Sequence, residues 1–216
     1  MEILKDKQVF QKLYNVSRET IIKLEIYHKL LLNFQRNHNI IGSGSVNNIW
    51  IRHFADSAKI FYYLEEHIIS KKLSLCDVGT GAGFPGMVVK ILMDNKGYQN
   101  KMTLIESNRK KCSFLQNLKD TLNLNCEIIN DRAENIKKKY NFIMCRAVSP
   151  LKTLLPVIKR ISKKNSLFIL HKGKNWAKEV NEIKKIWKFN INVVKNNEEL
   201  DYSGGVTLEI KDLSLK

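Results

Sequence analysis

The sequence predicts an α/β fold: a mostly parallel sheet of seven strands behind an N-terminal helical extension. Three observations predict it. From residue 73 to 210, short apolar runs alternate with longer stretches of helical periodicity; such alternation implies right-handed crossovers and a parallel sheet. The first 70 residues carry helical spacing without strand-like runs. The chain then closes on two strand-like runs joined by the polar residues 195–201 and Gly204-Gly205, which fits a terminal hairpin.

The elements follow in order. Ser17 is a suitable N-cap for a helix whose apolar positions are Ile21, Leu24, Tyr27, Leu31 and Phe34. Gly42-Ser43-Gly44-Ser45 breaks that run. A second helix is predicted over 47–70, with an interruption near His53. Strands are predicted at 73–78, 102–106, 126–129, 142–145, 167–171, 190–194 and 206–210, with helices at 85–93, 109–122, 151–161 and 176–187. The expected organisation is an extension over 1–70 and a main domain over 71–216, forming one unit.

Composition narrows the class. The 216 residues carry 44% hydrophobic and 27% charged side chains, an ordinary globular balance. The formal charge of +16 favours a polyanionic partner: nucleic acid, an anionic membrane surface or an acidic protein. A lysine-rich, Asn- and Ile-rich composition also arises from genome bias, so charge alone does not choose. The four cysteines have neither zinc spacing nor CxxC pairing, and three fall in predicted strands; buried reduced thiols in the cytoplasm are expected. Neither a signal peptide nor a membrane-length apolar run is visible.

Chemistry concentrates in CDVGTGAGFPGMVVKIL, residues 76–92. Glycines occupy 79, 81, 83 and 86, between a strand ending at Asp77-Val78 and a helix introduced by Pro85. Gly79 and Gly81 let the backbone turn tightly and approach a ligand closely. Glu106 ends the second strand roughly 25 residues later, where a carboxylate can accept both ribose hydroxyls. Together these indicate an adenosine-containing cofactor, either a dinucleotide or S-adenosyl-L-methionine. Two features favour the latter: only about 140 residues follow Gly79, and the terminal strand pair fits a seven-stranded methyltransferase sheet. No GxxxxGK[ST] is present, so a P-loop is excluded.

Several ordered motifs then coincide. They are RHFADS at 52–57, DVGTGAGFPG at 77–86, LIESNRKKCSFLQ at 104–116, NDRAEN at 130–135, CRAV at 145–148 and HKGKNWAKEV at 171–180. On these the chain resembles the RsmG (GidB) family of methyltransferases, which modify N7 of a guanine in a loop of bacterial 16S ribosomal RNA. The resemblance spans roughly residues 20–190. It departs at Phe34-Gln35 and Asn39-Ile40, where the family carries Trp-Asn and Asn-Leu, and it is poor over 198–210.

The resemblance implies a Rossmann-like class I S-adenosylmethionine-dependent methyltransferase acting on the 16S rRNA of the small ribosomal subunit. It also implies a cytoplasmic protein, expected as a monomer, with no metal. Cofactor contacts are expected at Gly79, Gly81, Phe84, Glu106, Ala133, Glu134 and Arg146. Arg146 is also the expected catalytic residue, pairing either with the methionyl carboxylate or with guanine O6. RNA contacts are expected at Arg132, Lys172, Lys174 and His53, although His53 and Asp56 also fit a pair that fastens the helices to the sheet. Guanine N7 carries a lone pair and no proton, so no general base is required. Rival readings are a methyltransferase for another substrate, a nucleotide-binding rRNA chaperone, and a dehydrogenase.

Overall fold

The N-terminal periodicity becomes two helices, α1 (Glu2–Tyr14) and α2 (Arg18–Gln35), in the computed structural model, which describes residues 2–68, 73–146, 148–195 and 205–216. Ser17 caps α2, its hydroxyl accepting the Thr20 N–H at 3.2 Å. That satisfies one of the donors a helix start leaves open. Ile21, Leu24, Tyr27 and Leu31 form the buried stripe of α2 at helical spacing. The predicted second helix is interrupted: a 3₁₀ turn at Ser43–Asn48 and a π-helical turn at Trp50–Ala55 precede α3 (Asp56–Ile68). His53 lies inside the π turn, a local widening that recurs at functional sites. The helix end at Ser70 and the 70/71 boundary lie outside the described residues.

All seven predicted strands are present: β1 (Ser74–Val78), β2 (Lys101–Ile105), β3 (Cys126–Ile129), β4 (Tyr140–Arg146), β5 (Ser162–Lys172), β6 (Trp187–Lys195) and β7 (Val206–Leu215). Their spatial order is β3-β2-β1-β4-β5-β7-β6. The strands from β1 to β5 are parallel, and β7 is antiparallel to both its neighbours. Between them run α4 (Gly86–Asn95), α5 (Arg109–Thr121), α6 (Leu151–Arg160) and α7 (Trp176–Ile183). Several boundaries differ from expectation: β4, β5 and β6 start earlier than predicted, β7 runs on to Leu215 and α7 ends sooner. β5 begins at Ser162 because that residue already pairs with Tyr140. α7 stops at Ile183 because Trp187 is drawn into the sheet opposite Leu215.

Strand order reverses between β1 and β4, and this opens a crevice at their carboxyl ends. The pleat distributes side chains to two cores. Leu75, Phe142 and Met144 face a core shared with α2, α3, α4 and α5. Cys76, Ile143 and Cys145 face the other, under α6 and α7. The N-terminal helices therefore share an apolar core with the sheet. All four cysteines are free and buried.

Gly86 sets how closely α4 approaches that sheet. A Cβ there would lie 2.2 Å from Leu104 Cδ2 and 2.8 Å from Asp77 Cβ. Gly86→Ala should destabilise the fold by about 2 kcal/mol, the usual scale of overpacking, read as a lowered urea midpoint with unchanged slope. An unchanged midpoint would show that the helix–strand distance is adjustable.

Candidate active site

The carboxyl ends of β1 to β5 carry the predicted site residues other than His53, and the loop 79–85 is their centre. Asp77 is fully buried at the end of β1. One of its oxygens, Oδ2, accepts the Gly86 N–H at 2.7 Å and the Thr80 hydroxyl at 2.6 Å. The loop also hangs from β2, because Gly79 N–H and Thr80 N–H both donate to the Ile105 carbonyl, at 2.9 and 3.1 Å. Glu106 Oε2 accepts the Gly81 N–H at 2.9 Å, and its Oε1 accepts the Asn108 N–H at 2.8 Å. A carboxylate has about four acceptor positions, so two remain open on Glu106. Gly81 meets Glu106 through this backbone bond.

On the α6 side of the loop lies a cavity of about 320 Å³, lined by Gly79, Ser107, Arg132, Ala133, Glu134 and Val148 among others. Val78, Ile105, Leu154 and Val157 supply further apolar wall. An apolar slot with a few polar groups at its rim suits an adenosine moiety. Gly79 sits at φ +65°, and a Cβ on it would press 2.5 Å from Val148 Cγ2. Arg132 and Glu134 are exposed at the rim. Asp131 Oδ1 braces this segment, accepting the Arg132 N–H and the Asn135 side-chain amide, each at 2.7 Å.

The other side of the loop is polar and faces the N-terminal helices. Arg146 ends β4; its Nη2 donates to the Arg52 carbonyl and lies 3.4 Å from Asp56 Oδ2. Its Nη1 is buried without a partner, as are Asp77 Oδ1 and His53 Nδ1. The charges of Arg146 and Asp77 act on one another, and that of Arg146 also acts on His53. Orphaned buried polar atoms are uncommon and costly. Three of them beside one glycine loop fit a zwitterionic ligand end that supplies both a cation and a carboxylate. S-adenosylmethionine has such an end, so the residues fit the cofactor.

Three expectations are revised by this geometry. Phe84 stacks with Tyr27 at 5.2 Å and with His53 at 4.6 Å between centroids. It is a clasp between the loop and the helices, which is a packing role for its ring. Tyr27 completes the clasp by donating its hydroxyl to the Ala82 carbonyl. His53 is no phosphate-binding cation: burial and the neighbouring Arg146 and Arg52 push its pKa down to about 3. Its Nε2 sits 2.9 Å from Ser45 Oγ. Lys172 is buried, with Nζ 2.8 Å from both the Ser149 carbonyl and Glu179 Oε2. It fastens the β4–α6 connection to α7 and is not free at the rim. Lys174 is exposed there. Asp77, Asp56 and Tyr27 were not among the expected site residues. The position of Asp77, two residues before the first glycine, was the available signal for it.

Asp77 also has a pH signature. Burial, with a smaller push from Glu106, raises its pKa to about 7, against the bonds from Thr80 and Gly86. The unfolded chain ionises near pH 4, so between about pH 4 and 7 the unfolded state releases a proton that the folded state keeps. Asp77 therefore lowers stability as pH rises through that window and has no further effect above it. In thermal melts the wild type should lose stability relative to Asp77→Asn from pH 5 to 8. Parallel curves would contradict the assigned shift.

Comparisons with known proteins give the family and the fold. The GidB family, described as rRNA small subunit methyltransferase G, matches residues 20–202. The ribosomal RNA small subunit methyltransferase G of Rickettsia felis is 35% identical over 92% of this chain and 97% of its own length. That of Rickettsia bellii is 35% identical over 93% and 97%. Among solved structures, a class I S-adenosylmethionine-dependent methyltransferase from Listeria monocytogenes superposes with a TM-score of 0.65 at 16% identity, over 88% of this chain and 68% of that one. Magnesium protoporphyrin IX methyltransferase from Synechocystis gives 0.59 at 14%, over 91% and 98%. At those identities the likeness is one of fold. Loop, cavity and family match converge, and the chain belongs to the rRNA small subunit methyltransferase G (GidB) family.

Proposed function

We propose that this protein transfers the methyl group of S-adenosyl-L-methionine to N7 of a guanine in the 16S rRNA of the small ribosomal subunit. The observation that carries this reading is the family-matched loop 77–86, flanked by an adenosine-sized cavity on one side and three unpartnered polar atoms on the other. The place of action is the cytoplasm, where four free, buried thiols stay reduced. Among the described residues no helix is long and apolar enough to cross a membrane, and no cluster of three or more His, Cys, Asp or Glu could hold a metal.

When bound, S-adenosylmethionine supplies an electrophilic methyl carbon on a sulfonium. The chain's residues bind, orient and exclude water. Glu106 would offer its two remaining acceptor positions to the ribose, and the cavity lined by Gly79, Val148, Ala133 and Glu134 would hold the adenine. Asp77 Oδ1 would accept from the methionyl ammonium and Arg146 Nη1 would donate to the methionyl carboxylate, since both atoms are buried without a partner. His53 stays neutral, so its Nδ1 can accept or donate one hydrogen bond without adding charge. N7 attacks through its own lone pair, and no side chain removes a proton in that step. Arg132 and Lys174, at the rim, meet RNA phosphates.

Electrostatics favours one of the two roles open to Arg146. Methylation at N7 moves positive charge onto the guanine. Two unit cations about 4 Å apart repel by about 4 kcal/mol at an effective dielectric near 20. The charge comes from the sulfonium a few ångströms away, so a guanidinium on guanine O6 would oppose the transfer by part of that amount, whereas one on the methionyl carboxylate would not. Asp56, at 3.4 Å, further offsets the charge of Arg146 on the side facing the helices.

Two measurements test this. Mass mapping of 16S rRNA incubated with protein and cofactor should show one new N7-methylguanine; methylation elsewhere, or none with cofactor bound, would refute the activity. Arg146→Met should weaken S-adenosylhomocysteine binding roughly 10- to 100-fold, the scale of removing a charge-assisted hydrogen bond, with a smaller change in KM for RNA. Intact cofactor affinity with a raised KM for RNA would move Arg146 to the base.

A further inference from the structure

The opposite edge of the sheet carries a second concentration of positive charge. Lys159 and Arg160 end α6, and Lys163 and Lys164 follow at once at the start of β5; all four are exposed. Among the described residues, none of them has a carboxylate within ion-pair distance. Lys163 reaches only the Asn141 side-chain oxygen, at 3.1 Å. Attraction to a helix C-terminus accounts for Lys159 and Arg160, but Lys163 and Lys164 lie beyond the helix.

The surface is concave here. Two adjoining cavities, of about 220 and 360 Å³, share Lys164, Asn165, Ser166 and Asp212. Lys159 and Lys163 line the smaller and Lys211 the larger. Asp212 is the one acid among the lining residues of both, and it is bonded by Asn190 at 2.7 Å. Asn165 takes φ +60°, and Ser166 Oγ ties its turn to the Lys163 and Tyr140 carbonyls, each at 2.8 Å. The cations therefore stand on a braced turn. Tyr140 pairs with Ser162 at this edge, while Arg146 pairs with His171 at the other. Six residue steps along β4 put the patch about 20 Å from Arg146.

We propose that this edge is a second RNA-binding surface, holding phosphates of the same rRNA at a segment distant from the methylated guanine. The inference rests on the rRNA reading above. Unpaired cations around a concave turn suit a phosphate backbone, whose neutralisation releases counterions. Separation from the reacting edge means that the patch grips without entering the chemistry. The protein would thereby bind a folded domain of the rRNA more tightly than the isolated target loop.

The test is a variant carrying Lys159→Gln, Arg160→Gln, Lys163→Gln and Lys164→Gln, compared with wild type on protein-free full-length 16S rRNA and on a short oligonucleotide holding only the target loop. On the full-length RNA the slope of log K against log salt should become shallower by about 0.7 for each phosphate that the variant no longer neutralises, and KM should rise at least tenfold. The oligonucleotide KM, kcat and affinity for S-adenosylhomocysteine should stay as in wild type. An unchanged slope on full-length rRNA would overturn the proposal. Equal weakening on both RNAs would overturn it too, showing diffuse attraction in place of a defined surface. If wild type bound neither RNA, the rRNA reading itself would fall along with this inference.

Discussion

The site depends on one buried carboxyl group. Through a single oxygen Asp77 accepts the Gly86 N–H and the Thr80 hydroxyl, and so joins the end of β1 to both ends of the loop. Gly86 must lack a side chain for α4 to come that close. With the loop's ends fixed, Gly81 reaches Glu106 and Ala82 reaches Tyr27. The other Asp77 oxygen is left without a partner in a fully buried position. Stability and binding pull against each other there, because the desolvation that raises its pKa also prepares it for a cationic ligand group.

The N-terminal helices build half of the reaction edge. The π turn places Arg52 and His53 beside the strand end, and Asp56 starts the next helix. Arg146 is clamped between the Arg52 carbonyl and Asp56, which fixes its fork before any ligand arrives. Phe84, between Tyr27 and His53, transmits the position of the helices to the loop. Such preorganisation lowers the ordering cost of binding.

Much of this was legible in the sequence because the signals are local. Strand–helix alternation marked all seven strands, and the run of glycines between Val78 and Pro85 marked the ligand edge. Gly79, Ala133, Glu134 and Arg132 do line one cavity. Phe84, Lys172 and His53 misled for a common reason. Each has a side chain suited to a ligand contact, yet each is consumed by residues distant in the chain: Tyr27 for Phe84, the Ser149 carbonyl for Lys172 and Arg146 for His53. Burial, the largest cause, turns His53 from a candidate cation into a neutral ring, and burial of that kind has no signature in a short motif. The basic turn at Lys163-Lys164 reads as ordinary lysine-rich surface until topology places it beside the end of α6.

The central claim is that the two sides of the glycine loop hold the two ends of one cofactor. The most direct measurement is a structure of the protein with S-adenosylhomocysteine. The account predicts adenosine between Gly79 and Glu134, the methionyl carboxylate on Arg146 Nη1 and the ammonium toward Asp77 Oδ1, with the Phe84 clasp unchanged. A ligand seated elsewhere, or one that leaves Arg146 Nη1 and Asp77 Oδ1 still without partners, would contradict it.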